Sequence, residues 1–103
     1  MQKTTSVVNL SAIRSNAAFV RSLIGNRFFY AVVKADAYGH GAAEVSHAIE
    51  DIVDGFCVAI ADEGAALRTC GIVKPVLGLA PPLGRDDADK IKFYGLQASA
   101  CDL

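Results

Sequence analysis

The sequence has little of what marks membrane proteins, nucleic-acid-binding proteins or disulfide-stabilised domains. No apolar run is long enough for a signal peptide or a membrane helix, so we expect a cytoplasmic protein with no membrane partner. A net charge of -1 and scattered basic residues provide no surface for nucleic acid. The three cysteines lack CxxC spacing, which argues against a disulfide framework or a zinc site, and no metal is expected.

The chain does contain enough apolar material for a buried core. Of its 103 residues, 52% are hydrophobic and 20% are charged, which is typical of a globular domain. Four apolar runs recur, at residues 28–33, 56–60, 75–79 and, more weakly, 96–100. The first two runs lack polar alternation, as do strands that are covered on both faces. Cys57, inside the second run, is interpreted as a small core residue.

Helical patterns fill the intervals between these runs. Ser11 is predicted to cap a first helix that ends at Gly25. The apolar stripe of this helix is Ile13, Ala17, Val20 and Ile24. A second helix lies between the first two runs, and Asp62 is predicted to cap a third helix that Gly71 closes. Acidic residues followed by lysines predict a fourth helix before the last run.

The alternation of strands and helices predicts an α/β fold with a parallel sheet. A doubly wound sheet and a (β/α)8 barrel both fit it, but no GxGxxG follows the first strand, which disfavours a dinucleotide-binding fold. A complete barrel takes about 250 residues. We therefore expect a partial (β/α)8 TIM-type barrel made of its first four strands. A compact, small α/β domain is the alternative.

One lysine lies where the chemistry of such folds is usually found. Lys34 directly follows the first predicted strand, and reactive groups collect at the carboxyl ends of parallel strands. Lys74 precedes a strand and belongs to the opposite edge. If Lys34 points into the barrel mouth, Val32 and Tyr30 share its face, and this apolar floor favours the neutral, nucleophilic amine. Position alone, however, favours a lysine that simply extends into water.

The strongest signal is an eleven-residue segment, AVVKADAYGHG at residues 31–41. It resembles the signature around the pyridoxal-phosphate lysine of alanine racemases. Residues 9–16, 59–68 and 75–79 resemble other parts of the same family, so the resemblance extends over about residues 7–100. The family fold is a (β/α)8 barrel followed by a β-rich domain.

This resemblance implies an isomerase that uses pyridoxal phosphate to interconvert L-alanine and D-alanine, supplies D-alanine for cell-wall peptidoglycan, and forms a homodimer. Lys34 would bind the cofactor as a Schiff base and move the α-proton on one face of alanine. Tyr38 would donate a hydrogen bond to the cofactor phosphate. Residues 1–10 would form a short strand that pairs with a second domain, and residues 11–103 the amino-terminal part of the cofactor-binding barrel. The opposite-face base would be a tyrosine of the partner subunit, outside this sequence.

Other interpretations stay open. The chain could come from another fold-type III pyridoxal-phosphate enzyme, such as a serine racemase or a decarboxylase, or from a Schiff-base aldolase, or it could be an inactive truncated remnant. Asp36 and His40 are interpreted as loop residues rather than as acids or bases. Asp62 and Glu63 are interpreted as a helix start. Cys101 follows the fourth strand, and nothing else in the sequence supports a role for it.

Overall fold

The structure is a computed structural model that describes residues 10–33 and 41–100. Its elements alternate as the sequence predicts. In chain order they are α1 (Leu10–Ile24), β1 (Tyr30–Val32), α2 (Gly41–Ile49), β2 (Gly55–Val58), α3 (Ala61–Thr69), β3 (Val76–Gly78), α4 (Arg85–Tyr94) and β4 (Gln97–Ala98). Each strand is shorter than the apolar run that predicted it, because the ends of the runs belong to the connecting loops.

The four strands form one parallel sheet in the order β1-β2-β3-β4. Ala31 lies opposite Phe56, and Leu77 lies opposite both Cys57 and Gln97. The strand order in the described sheet never reverses, whereas a doubly wound sheet changes direction at a switch point. This order is that of a (β/α)8 barrel segment, and the prediction of a partial barrel is confirmed.

The helices pack on one face of the sheet, here called the outer face. Every second side chain of the strands and of their flanking residues points to this face and is buried under the helices. They are Val33, Phe56, Val58, Val76 and Leu96. Because a fully buried Phe or Val side chain contributes about 1.5–3 kcal/mol, this cluster is the main source of stability. Residues of the other alternation form the inner face, where Val32 is 66% exposed. Cys57 is buried, as predicted.

Glycine ends the helices where the sequence predicts it. Gly71 has φ 96°, and the N–H groups of Gly71 and Ile72 donate to the carbonyls of Arg68 and Leu67. This pair of bonds is a Schellman motif, which satisfies the last carbonyls of α3. Gly25, the predicted end of the first helix, likewise adopts positive φ after α1. Gly95 does the same after α4, although the sequence analysis did not single it out. These turns return the chain to the amino-terminal edge of the sheet.

Three details of α1 differ from prediction. The helix already includes Leu10, so Ser11 is not its cap, and Leu10 does not belong to the strand proposed for residues 1–10. The remainder of that segment, residues 1–9, lies outside the described residues. Val20 is 37% exposed, because Arg21 takes the inward position in this turn. The Arg21 guanidinium donates to the Ile52 carbonyl at 2.9 Å.

No helix within residues 10–33 and 41–100 is long and apolar enough to cross a membrane. The same ranges contain no cluster of three or more potential metal-ligating side chains.

Candidate active site at the carboxyl edge

The carboxyl ends of the four strands meet at one edge of the sheet. Backbone pairing continues just past β1 and β3: the N–H of Val33 donates to the Cys57 carbonyl at 2.9 Å, and that of Leu79 donates to the Val58 carbonyl at 2.8 Å. Ser99 donates to the carbonyls of Gly78 and Leu79, at 3.0 and 2.7 Å. These bonds hold the edge in register where reactive groups of a barrel lie.

The predicted alternation of β1 at this edge is confirmed. Val33 is 7% exposed and belongs to the outer core, and Ala31 packs against that core. Tyr30 and Val32 occupy the inner face.

Lys34 and Tyr38 lie outside the described residues, as do Asp36, His40 and Cys101. Their roles remain predictions. Val33 is the last described residue before Lys34.

The described lysines are engaged elsewhere. Lys74 donates to the carbonyls of Glu50 and Val53, both at 2.7 Å, at the amino-terminal edge. Lys90 lies 2.7 Å from an Asp62 carboxylate oxygen and 3.2 Å from an Asp86 oxygen. These hydrogen bonds raise the pKa of Lys90, which keeps its amine protonated and non-nucleophilic. Lys92 lies on α4, away from the inner face.

The N-cap residue of α3 is Ile60, so Asp62, which the sequence predicts as the cap, lies in the first turn of the helix. One Glu63 carboxylate oxygen accepts from the N–H groups of Ala59 and Ile60, at 2.7 and 3.2 Å. Asp62 instead pairs with Lys90 and joins α3 to α4.

A polar contact on the inner face was not predicted from the sequence. The Tyr30 hydroxyl donates to the Gln97 side-chain oxygen at 3.2 Å, which links β1 to β4 across the two strands between them. The alternation of β1 placed Tyr30 on this face, but no local pattern indicated Gln97 as its partner.

These features define the class of the protein: a segment of a (β/α) barrel with a covered outer face, an open inner face and a candidate active site at the carboxyl edge. A family model described as "Alanine racemase, N-terminal domain" matches residues 8–103. The chain belongs to this family.

Individual relatives agree with this family. The chain is 52% identical over 77 residues to an alanine racemase of Streptococcus agalactiae, covering 74% of this chain and 21% of the relative. It is 48% identical over 96 residues to an alanine racemase of Xylella fastidiosa, covering 93% and 26%. The chain thus spans about a fifth to a quarter of the length of these relatives.

Solved structures are similar as well. The alanine racemase from E. faecalis matches with a TM-score of 0.76 and 33% identity, over 87% of this chain and 24% of that one. The alanine racemase from Bacillus anthracis with bound L-Ala-P matches with a TM-score of 0.75 and 32% identity, over 88% and 24%.

Proposed function

We propose that this chain is the amino-terminal barrel segment of an alanine racemase, a pyridoxal-phosphate-dependent isomerase that interconverts L-alanine and D-alanine. The observation that supports this most directly is the inner face of β1. Tyr30 and Val32 alternate onto it, and the next residue of that alternation is Lys34. The family membership and the AVVKADAYGHG segment support the same assignment.

The described residues fit the cofactor. Val32 is 66% exposed and Leu79 is 49% exposed at the open end of the inner face, so apolar surface is available there for a planar aromatic ring. Tyr38 is the candidate donor to the cofactor phosphate within this chain.

When bound, pyridoxal phosphate supplies an electron sink that stabilises negative charge at the α-carbon of an amino acid. Lys34 would hold the cofactor covalently through its amine. Once that amine is released, Lys34 would remove or return the α-proton on one face of alanine. Tyr38 would orient the cofactor by donating its hydroxyl hydrogen to the phosphate.

Finer aspects of the proposal rest on the family resemblance. They are a homodimer, a partner-subunit tyrosine as the base on the opposite face, a cytoplasmic location and a role in supplying D-alanine for peptidoglycan. The remaining barrel strands and the second domain would cover the inner face that this segment leaves open. Residues 1–9 would pair with that second domain.

The experiment that tests Lys34 is reductive trapping. The full-length enzyme is mixed with pyridoxal phosphate, reduced with borohydride, and digested for mass spectrometry. We expect the phosphopyridoxyl group on Lys34 and its loss in Lys34→Ala. Lys74→Ala and Lys90→Ala are the matched controls and should keep the Lys34 adduct. An adduct on Lys74 or Lys90, with none on Lys34, would refute the assignment.

Measuring racemisation distinguishes an alanine racemase from a serine racemase and from an inactive chain. The full-length enzyme should form D-alanine from L-alanine at a rate that depends on Lys34, well above a blank of free pyridoxal phosphate. A preference for serine would identify a serine racemase instead. The chain of 103 residues alone should show no turnover above the blank, because the opposite-face base is absent. Lys34-dependent turnover by a monodisperse sample of that chain would contradict this expectation.

A further inference from the structure

The Tyr30 side chain lies across β2 on the inner face of the sheet. Its ring passes so close to Gly55 that a Cβ atom built on this glycine would lie 2.7 Å from the Tyr30 Cζ atom. The same Cβ would lie 2.8 Å from the backbone oxygen of Pro75. Real Cβ atoms do not approach other atoms this closely, so only glycine leaves room for the ring. The ring thus lies in a slot that the backbone of β2 provides.

Beyond this slot, the Tyr30 hydroxyl donates to the Gln97 side-chain oxygen at 3.2 Å. The contact joins the first and last strands of the described sheet, although 67 positions separate the two residues. In the strand register, Leu77 lies opposite Gln97, whereas Tyr30 lies opposite Gly55. The bond therefore runs obliquely over the inner face. Barrel strands are tilted relative to the barrel axis, so side chains at the same height along that axis come from shifted register positions.

Such a contact constrains the curvature of the sheet. Parallel strands pair edge to edge, and these hydrogen bonds fix spacing but leave the sheet free to flatten. A side chain that reaches from β1 to β4 on the concave side resists flattening, because the two strands would have to separate. Layers of side chains play this role in the interior of complete barrels.

We propose that the Tyr30–Gln97 pair is an internal strut that sets the curvature of β1 to β4 and so positions Lys34 for the cofactor. The proposal rests on the function proposed above for Lys34. Tyr30 lies four positions before Lys34 in the sequence, and its hydroxyl is engaged by Gln97. Tyr30 is a positioning residue.

The test uses Tyr30→Phe, Gln97→Leu and the double variant. In the full-length enzyme, the rate at which pyridoxal phosphate modifies Lys34 is measured by borohydride trapping under native conditions, where all variants are folded. A neutral hydrogen bond corresponds to a factor of about 2 to 10 in an equilibrium constant. We expect each single variant to slow Lys34 modification by about 2- to 10-fold, and the double variant to be no slower than the slower single variant.

Gln97→Glu provides a rescue, since its carboxylate also accepts from the Tyr30 hydroxyl, and it should keep the unsubstituted rate. A merely structural role would lower stability and leave the rate of Lys34 modification unchanged. That result would overturn the proposal, as would effects of the two single variants that multiply in the double variant.

A cofactor-free measurement separates this proposal from the proposed function. Denaturant unfolding of the 103-residue chain and the same variants gives the coupling between Tyr30 and Gln97. A coupling factor of about 2 or more supports the strut, and a factor of one overturns it. If the unsubstituted enzyme is not modified at Lys34, the proposed function fails, and the positioning role of Tyr30 fails with it, whatever the coupling.

Discussion

The two edges of the sheet are built differently. At the amino-terminal edge, long cationic side chains bind backbone carbonyls between the elements. The Arg68 guanidinium donates to the carbonyls of Ile72, Lys74, Tyr94 and Gly95 at 2.8 to 3.2 Å. Lys74 donates to two more carbonyls, in the turn before β2. This edge is held by a dense set of charge-assisted hydrogen bonds.

At the carboxyl edge, the polar contacts among the described residues come from uncharged or acidic side chains. Ser99 donates to the end of β3, and Glu63 accepts from backbone N–H groups before α3. Its inner side exposes Val32 and Leu79. In barrel enzymes the amino-terminal edge provides stability and the carboxyl edge provides chemistry. The difference in bonding indicates that the four described strands already have one edge built for stability and one edge left for chemistry. Substitutions at one edge should therefore change stability, and those at the other edge should change cofactor binding.

The largest effect is expected from Arg68→Ala. It removes four hydrogen bonds and leaves carbonyls of two strand entries without donors, so we expect a loss of about 3 kcal/mol in the free energy of unfolding. Denaturant unfolding measures it. Arg85→Ala, at the exposed start of α4, is the control and should change stability by less than about 0.5 kcal/mol. Equal effects of the two substitutions would contradict the special role of the amino-terminal edge.

A smaller effect, on cofactor affinity instead of stability, is expected from Tyr38→Phe. A hydrogen bond to a charged acceptor contributes about 1.5–3 kcal/mol, so cofactor affinity in the full-length enzyme should fall by roughly ten- to a hundred-fold. Unfolding of the cofactor-free protein should not change. Tyr94→Phe, at the end of α4 where the ring packs against the outer core, is the matched control for loss of a tyrosine hydroxyl. An unchanged cofactor affinity in Tyr38→Phe would make Tyr38 a packing residue.

Much of this fold could be predicted because the sequence encodes it locally. Buried strands appear as continuous apolar runs, and helix ends appear as glycines, of which the predicted Gly25 and Gly71 both adopt positive φ. The errors concern where helices begin. Ser11 and Asp62 were predicted as caps, but each lies inside the first turn of its helix. Asp62 instead pairs with Lys90 on another helix.

The candidate site was predictable to a smaller extent. The face that Tyr30 and Val32 share follows from strand alternation, which is local. The contact between Tyr30 and Gln97 depends on the order and tilt of four strands, which no short segment encodes. Lys34 and Tyr38 were assigned by a motif and not by geometry, and they remain predictions.

The smallest expected effect concerns an ion pair on the periphery of the amino-terminal edge. Arg14 on α1 binds both carboxylate oxygens of Asp51, at 2.7 and 2.8 Å, in the segment between α2 and β2. The hydrogen bonds from Arg14 lower the pKa of Asp51 from 3.8 to about 2. Both side chains are at least half exposed, so water and salt screen the pair, and its contribution to stability is small.

The sign of the pH dependence follows from the lowered pKa. Because the folded chain binds the Asp51 proton more weakly than the unfolded chain does, the pair stabilises the fold above pH 3.8, and this stabilisation is lost as the pH falls toward about 2. Asp51→Asn should therefore lower the midpoint of thermal unfolding slightly at neutral pH, and its difference from the unsubstituted chain should vanish near pH 2. Arg14→Gln should show the same convergence, since it removes the other partner. If the difference for Asp51→Asn instead grew as the pH fell, the pair would not be the source of the effect. In that case the stability of even the exposed part of the amino-terminal edge would come from contacts other than the Arg14–Asp51 ion pair.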